Sequence, residues 1–383
     1  MRVGLIMSTM LCAEESHSLD RVIGHVDLDY FYAQVEEVEN PSIKGRPVMV
    51  CVFSGRTEES GVVSTANYKA REFGVHSGMP ISQAKKLVKD ANPVVIKMEH
   101  EKYEVISDRI MQMVRERVDT LEQTGIDEGF FDLSVSSAGD YQAARRIAED
   151  IKEDLLREEG LTCSIGIGRS KAVAKLGSDM SKPGGLMIIS PNSTQSFLGP
   201  LPASKLYGVG PKTGLLLGEM GIKTMGELSM ANPLDLERKL GKKLSAYLIG
   251  ASAGADDDPV REGLEPTQFS RIITLKQDTR NPNEALAQLS AGIGYIREKL
   301  VSSDKSFKTL GAIGVLTDLS IHTKSRTFDT PMNAASDIEE NTLNLFIELG
   351  KTVDKDFRRV GLRVSGLANN VNQKSLSEFL QTR

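Results

Sequence analysis

Three carboxylates stand apart in this sequence. Asp27 closes the apolar run Arg21–Asp27 (RVIGHVD), and Asp127 and Glu128 are neighbours inside Gly125–Leu133 (GIDEGFFDL). Most acidic residues of globular proteins are solvated turn or cap residues. An aspartate that ends an apolar strand is different, because ligands often bind outside the carboxyl ends of strands. Hard oxygen donors suit Mg²⁺, which keeps several waters and takes one or two carboxylates plus substrate phosphates. Two such ions can clamp a displacement, one on the attacking oxygen and one on the leaving oxygen. The cysteines Cys12, Cys51 and Cys163 are far apart and the five histidines are scattered, which argues against a zinc knuckle, a disulfide framework or a His-rich metal site.

The acids meet only if the chain positions them. Neighbours on a regular strand point to opposite faces. Asp127 and Glu128 therefore share a site only where the backbone turns or bulges, and Gly125 and Gly129 permit that. Asp29 shares a face with Asp27 if the first strand continues. Around these segments, Tyr30–Val38 reads as a helix that Asn40-Pro41 stops. Pro47–Phe53, Gly61–Thr65 and Thr162–Gly168 read as strands. Asn67–Phe73, Ile81–Val88, Met98–Arg117, Ala143–Glu158 and Lys171–Met180 read as helices. This alternation predicts a mixed sheet with helices on one face. After Ser190 the chain becomes helical and rich in Gly and Leu. Ala251–Thr267 reads as a polar linker. Beyond it, strands at Phe269–Leu275, Thr309–Leu316 and Arg358–Ser365 with helices at Leu286–Val301 and Ile338–Leu349 predict a separate α+β domain.

At 383 residues the chain exceeds a single ordinary core. Its 40% apolar and 26% charged residues read as soluble and globular. No stretch reaches the ~18 apolar residues of a membrane span. Residues 1–20 hold a short apolar run followed by Glu14-Glu15, and read as a poorly ordered extension rather than a signal peptide. With cysteine usage that fits a reducing cytosol, a cytoplasmic monomer is expected. The net charge of −5 sits awkwardly with a phosphate-rich partner.

Four long motifs then narrow the reading. His25–Val50 (HVDLDYFYAQVEEVENPSIKGRPVMV) closely resembles the opening of Y-family, DinB-like DNA polymerases of the archaeal type. Val63–Pro80 resembles that family's incoming-nucleotide segment, Gly125–Ser134 its second catalytic motif and Cys163–Gly185 its third, in order and with matching spacing. The resemblance implies an α+β right-hand polymerase. Its palm would be residues 21–30 and 98–189, fingers 31–97, a helix-hairpin-helix thumb 190–250, a linker 251–267, a little finger 268–366 and a tail 367–383. It implies error-prone translesion synthesis on primer-template DNA, with a primer 3′-hydroxyl attacking the α-phosphate of a deoxynucleotide. Asp27, Asp127 and Glu128, with the Leu28 carbonyl, would hold two Mg²⁺, and Glu128 would lie near the primer end. Tyr32 matches the steric gate, and Phe31 adjoins the nucleotide. Thr65, Tyr68, Arg71 and Lys182 match the triphosphate contacts. Val52, Val62, Ser64 and Gly78 match the roof over the nascent base pair, where Val62 is larger than the family's frequent Ala. Gly125 stands where many members have Ser.

Leu206–Ile222 resembles a helix-hairpin-helix whose Gly208 and Gly210 turn would present N–H groups to a phosphate. Residues 266–365 hold 14 Lys plus Arg against 12 Asp plus Glu, a mildly basic balance in an acidic chain. Arg271, Lys276, Arg280, Lys324, Arg326, Arg358, Arg359 and Arg363 are expected on one sheet face that tracks DNA. Asp256-Asp257-Asp258 in the linker is expected to weaken duplex binding. Gln373, Leu376, Phe379 and Leu380 resemble a sliding-clamp binding peptide. A catalytically inactive DNA-repair scaffold with the same fold and a nucleotidyl cyclase are the rival readings. Intact acids argue against the first, and the thumb and little-finger segments against the second.

Overall fold

Strand β1 (Ile23–Leu28) is buried along its whole length, as a central strand covered on both faces must be. It leads into α1 (Phe31–Glu39). Strands β2 (Val48–Phe53) and β3 (Gly61–Ala66), helices α2 (Tyr68–Glu72) and α3 (Ile81–Leu87), and strand β4 (Val94–Lys97) follow. The three strands form a small sheet in the order β3-β2-β4. Asn67 caps α2, and its Oδ1 accepts from the N–H groups of both Ala70 and Val48, at 2.9 and 3.0 Å. One side chain thus ties the helix to the sheet.

Next come α4 (His100–Arg115), β5 (Thr120–Gln123), β6 (Glu128–Asp132), α5 (Tyr141–Glu159), β7 (Cys163–Gly168), α6 (Lys171–Ser181) and β8 (Leu186–Ile188). With β1 they build a mixed five-stranded sheet, β5-β6-β1-β7-β8, in which β7 and β8 alone run parallel. Helix α6 packs on β1 and β7. A Cβ at Gly166 would lie 2.1 Å from the Ala174 carbonyl oxygen, so glycine is what lets the helix approach the strand.

Five helices follow: α7 (Thr194–Leu198), α8 (Pro211–Glu219), α9 (Met225–Ser229), α10 (Pro233–Leu240) and α11 (Lys242–Ser252). The last part is β9 (Gln268–Thr279), α12 (Pro282–Ser302), β10 (Lys305–Leu316), β11 (Ile321–Met332), α13 (Ala335–Gly350), β12 (Phe357–Ser365) and β13 (Ala368–Asn369). Its sheet has the order β11-β10-β12-β9, with β13 against β10. Its core is formed by Leu289, Ile293, Ile296, Leu310, Phe346, Phe357 and Leu362 among others.

The structure, a computed structural model, describes residues 19–263 and 265–369. They divide into two compact units, one from residues 19–42 and 99–263 and the other from 43–98 and 265–369. The first holds the five-stranded sheet and the five-helix segment; the second holds the two remaining sheets. Among the described residues no helix is long and apolar enough to cross a membrane. Cys51 and Cys163 are buried, and burial pushes their thiols up to about 11 and about 12.

Of the turn or bulge expected at the acidic pair, the structure has a turn, and β6 begins at Glu128. Two other readings from the sequence are corrected. Strand β11 was given no bounds from the sequence, because IHTKSRTFDTPM lacks apolar alternation, although Lys324 and Arg326 were expected on a sheet face; it is an edge strand exposed along most of its length. The segment read as a linker is partly docked. Arg21 donates to the Asp256 carbonyl at 2.8 Å and to the Asp258 carbonyl. Lys171, 6% exposed, bridges Glu122 at 2.7 Å and Asp258 at 2.8 Å. The Arg261 N–H donates to Glu122 at 2.7 Å, and Val260 packs with Ile23, Phe130 and Ala174. Residues 256–261 form a strap on the first unit, and the Asp258 charge is answered by Lys171 and Arg261.

Candidate active site

Asp27 lies directly opposite Glu128 in the antiparallel pairing of β1 with β6, so the two side chains share a face. Asp127 sits in the turn between β5 and β6. The N–H groups of Thr124 and Gly125 both reach the Glu128 carbonyl at 3.1 Å, and the Leu28 N–H donates to the Asp127 carbonyl at 2.8 Å. This turn takes Asp127 out of the strand's alternation without a bulge. Helix α4 pins it: Ser107 donates to the Ile126 carbonyl, while Gln123 reaches the Gly125 carbonyl at 3.0 Å. A Cβ at Gly125 would stand 3.0 Å from the Glu128 Cγ and 3.4 Å from the Asp127 Oδ1. A serine there would press on both acids.

Burial raises the Asp27 carboxyl above its ordinary value, against the pull of Lys182. Asp127 is pushed to about 6, first by burial and then by the charges of Asp27 and Glu128. Two ammonium groups face these acids. The Lys182 Nζ lies 2.7 Å from the Asp27 Oδ2. The Lys175 Nζ lies 2.6 Å from the Glu128 Oε2, and 3.5 Å from both the Asp27 Oδ2 and the Asp179 Oδ1. Among the described residues no three acidic, His or Cys side chains already form a metal cage. Carboxylates and ammonium groups interleave instead.

Lys175 escaped the sequence reading. The available signal was the spacing Lys171, Lys175, Ser178, Lys182, which marks one side of a helix. His25 was also missed. It is fully buried beside Phe130. Ser178 donates its hydroxyl proton to the Lys175 carbonyl at 2.8 Å, so the His25 Nδ1–H donates to Ser178 at 2.7 Å. Burial first, then Lys175 and Lys182, hold the ring well below its ordinary pKa and therefore neutral. Its Nε2 lies 3.6 Å from the Glu128 Oε2. Asp29 does not join the site. It is fully buried and accepts from Ser164, Thr162 and the Gly184 N–H, each at 2.8 Å.

Tyr32 on α1 packs its ring 4.5 Å from that of Tyr103 and 5.5 Å from that of Phe31. Burial, then Asp127 and Glu104, raises its phenol pKa. The gate candidate thus belongs to the same unit as the acids. Thr65, Tyr68 and Arg71 belong to the second unit. Arg71 is exposed, donates to the Ala66 carbonyl at 2.9 Å and stacks its guanidinium 5.0 Å from the Tyr68 ring centre. Val52 and Val62 are cross-strand partners, 45% and 42% exposed. Ser64 is on the same strand as Val62, and Gly78, at φ +84°, donates its N–H to the Val63 carbonyl. Val52, Val62 and Gly78 line a cleft of about 590 Å³ whose other wall includes Ile272, Arg358 and Arg359.

Residues 26–179 match the impB/mucB/samB family, and residues 266–377 match that family's C-terminal domain. The chain is 40% identical to DNA polymerase IV of Methanosarcina acetivorans, across 94% of this chain and 100% of that one. It is 34% identical to DNA polymerase IV of Nitrosopumilus maritimus, across 94% and 99%. A Y-family polymerase chimera titled Dbh-Dpo4(243-245)-Dbh superposes with a TM-score of 0.86 at 32% identity, over 91% of this chain and all of that one.

The chain belongs to the Y-family DNA polymerases, in the DinB (DNA polymerase IV) group. It has that family's palm, fingers, thumb and little finger, and its activity is error-prone translesion DNA synthesis. In the thumb, Gly208 adopts φ +89° and Gly210 is the N-cap of α8. A Cβ on Gly208 would meet the Tyr247 ring at 3.1 Å.

The expected basic face of the little finger is divided between two faces. Registers Leu310↔Arg326, Ala312↔Lys324 and Leu362↔Arg271 place those three basic residues on the side covered by α12 and α13. There Arg326 and Lys324 lie 2.7 and 3.6 Å from Glu348, and Arg271 stacks 5.1 Å from the Tyr295 ring centre. Arg280 is held by the Asp354 carbonyl and lies 3.5 Å from Asp356. Lys276 is exposed. The opposite sheet face carries Arg359 and Arg363 among small residues, with Gly311 flanked in register by Ser325 and Arg363. An irregular register beside Arg358 brings it to the same cleft as Arg359.

Proposed function

We propose that Asp27, Asp127 and Glu128 are the polymerase's metal-binding acids, with the Leu28 carbonyl beside them. What supports this most is the register that faces Asp27 with Glu128, next to a turn that carries Asp127. The donor set fits Mg²⁺: every donor is a hard oxygen, and burial together with the nearby Glu128 charge raises both Asp27 and Asp127, which calls for positive charge. Two bound Mg²⁺ would supply charge neutralisation at the phosphates during attack by the primer 3′-hydroxyl. The protein's own part is placement. Glu128 and Asp27 are fixed by strand pairing, Asp127 by a turn tied to α4, and Lys182 by its position just beyond α6.

In this reading Tyr32, braced by Tyr103, excludes a ribose 2′-hydroxyl, with Phe31 buried behind it. Arg71 and Lys182 bind the triphosphate with the hydroxyls of Tyr68 and Thr65. Val52, Val62, Ser64 and Gly78 lie over the nascent base pair. Gly208, Gly210 and the open-face residues Arg359 and Arg363 contact DNA backbone. The partition into palm, fingers, thumb, linker and little finger follows the boundaries given above. Gln373, Leu376, Phe379 and Leu380, outside the described residues, dock on a sliding clamp.

Primer extension past an abasic site tests the assignment. The native protein extends, and Glu128→Ala loses about 10²–10³-fold in kcat, the range expected when preorganised charge stabilisation is removed. Retention of more than a tenth of the native rate would remove Glu128 from the metal set. Tyr32→Ala should raise ribonucleotide insertion while preserving deoxynucleotide insertion. Removing residues 373–383 should abolish stimulation by a clamp and leave basal extension intact.

A further inference from the structure

Lys182 has an assigned partner in the triphosphate, but Lys175 has none. Yet Lys175 makes the shorter contact to Glu128, at 2.6 Å, and also faces Asp27 on the neighbouring strand at 3.5 Å. Its ammonium group therefore stands between two acids from different strands, where a shared cation would stand. It is not a surface lysine that happens to reach inward: its side chain is 16% exposed, it rises from the middle of α6, and Asp179, one turn on, holds it from the other side at 3.5 Å. The approach of α6 that delivers it depends on Gly166, so its place is built into the sheet.

Charge counting gives this position a meaning. Asp27, Asp127, Glu128 and Asp179 against Lys175 and Lys182 leave two net negative charges. Two divalent ions entering alone would make the site positive, and each would compete with an ammonium group for the same carboxylate oxygens. A nucleoside triphosphate brings about four negative charges and reverses that balance.

We propose that Lys175 is a resident counter-cation that competes with divalent metal for Glu128 and Asp27, so that metal loads tightly only together with a nucleoside triphosphate. Lys175 is a positioning residue here: it holds the acids together before substrate arrives and keeps the empty site from filling with metal. This rests on the assignment of Asp27 and Glu128 as metal acids.

The test measures Mn²⁺ binding to the full chain by electron paramagnetic resonance, with and without a non-hydrolysable deoxynucleoside triphosphate. The native protein should bind Mn²⁺ at least tenfold more tightly when the nucleotide is present, after correction for Mn²⁺ held by nucleotide alone. Equal affinity overturns the proposal whatever the variants do. Lys175→Met, its fold checked by circular dichroism, should bind Mn²⁺ at least tenfold more tightly than native without nucleotide, and within threefold of native with it. Lys175→Arg should stay close to native in both. Unchanged or weaker nucleotide-free binding in Lys175→Met overturns the proposal. Asp27→Asn separates the two levels. If it weakens Mn²⁺ binding while Lys175→Met fails to tighten it, only the counter-cation role falls. If Asp27→Asn has no effect with nucleotide present, the metal-acid assignment itself falls.

Discussion

Asp127 carries a measurable cost. Its carboxyl is raised from an ordinary 3.8 to about 6, chiefly by burial. The folded chain therefore binds more protons than the unfolded chain between about pH 4 and pH 6. Stability contributed by this site falls as pH rises through that window, and the full penalty stands above it. Asp127→Asn should accordingly raise unfolding free energy by about 1–3 kcal/mol at pH 8, with the gain vanishing near pH 3.5, while primer extension is lost. Denaturant titrations at the two pH values check the sign. The acids were legible because each interrupts or ends an apolar run. Lys175 and His25 were not: a lysine on an amphipathic helix reads as solvated, and a histidine inside a strand reads as core. Only the pairing of β1 with β6 and the packing of α6 on the sheet show that both approach Glu128.

At the scale of elements, the central strands were readable because each is apolar and β-branched, whereas β4, β5 and β8, at three or four residues, are too short to show a period. The break at the acidic pair was readable because Gly125 and Gly129 flank two neighbouring acids that a regular strand would point apart, and a turn that satisfies two N–H groups with one carbonyl is what lies there. Gly166 supports a sharper expectation. Gly166→Ala must push α6 off β7, since the added carbon would meet the Ala174 carbonyl oxygen at 2.1 Å. It should cost about 3 kcal/mol, at the upper end for overpacking a core, and reduce activity through displaced Lys175 and Lys182. The strap is open to a similar test. Lys171→Met leaves Glu122 and Asp258 facing each other without their shared cation, and should lower stability by about 3 kcal/mol in urea unfolding. A change below about 0.5 kcal/mol, the usual range for surface substitutions, would mean the strap does not depend on this bridge.

For the whole molecule, a net charge of −5 does not show where a DNA backbone would lie, because pairing between residues decides which charges stay uncompensated. In the little finger the total of basic residues misled: Lys324 and Arg326 neutralise Glu348, while Arg359 and Arg363 share the sheet face turned away from α12 and α13. Replacing Arg359 or Arg363 by Ala should each reduce the slope of log affinity against log salt by about 0.9, the value of one phosphate contact. The same change at Lys324 or Arg326 should leave the slope within error of native, as measured by fluorescence anisotropy on primer-template DNA. The sequence could show that this region is basic, but not which arginines face outward, because that follows from strand register. The docked strap also bears on handling of the polymerase. A segment with the composition of 251–267 would ordinarily be the first place a digestive enzyme cuts, because cleavage needs backbone that can be drawn out and bent. Here two carbonyls are held by Arg21 and Val260 is packed against Phe130. Brief trypsin treatment should therefore spare the peptide bond after Arg261 relative to other exposed arginines, and the little finger should not be shed there.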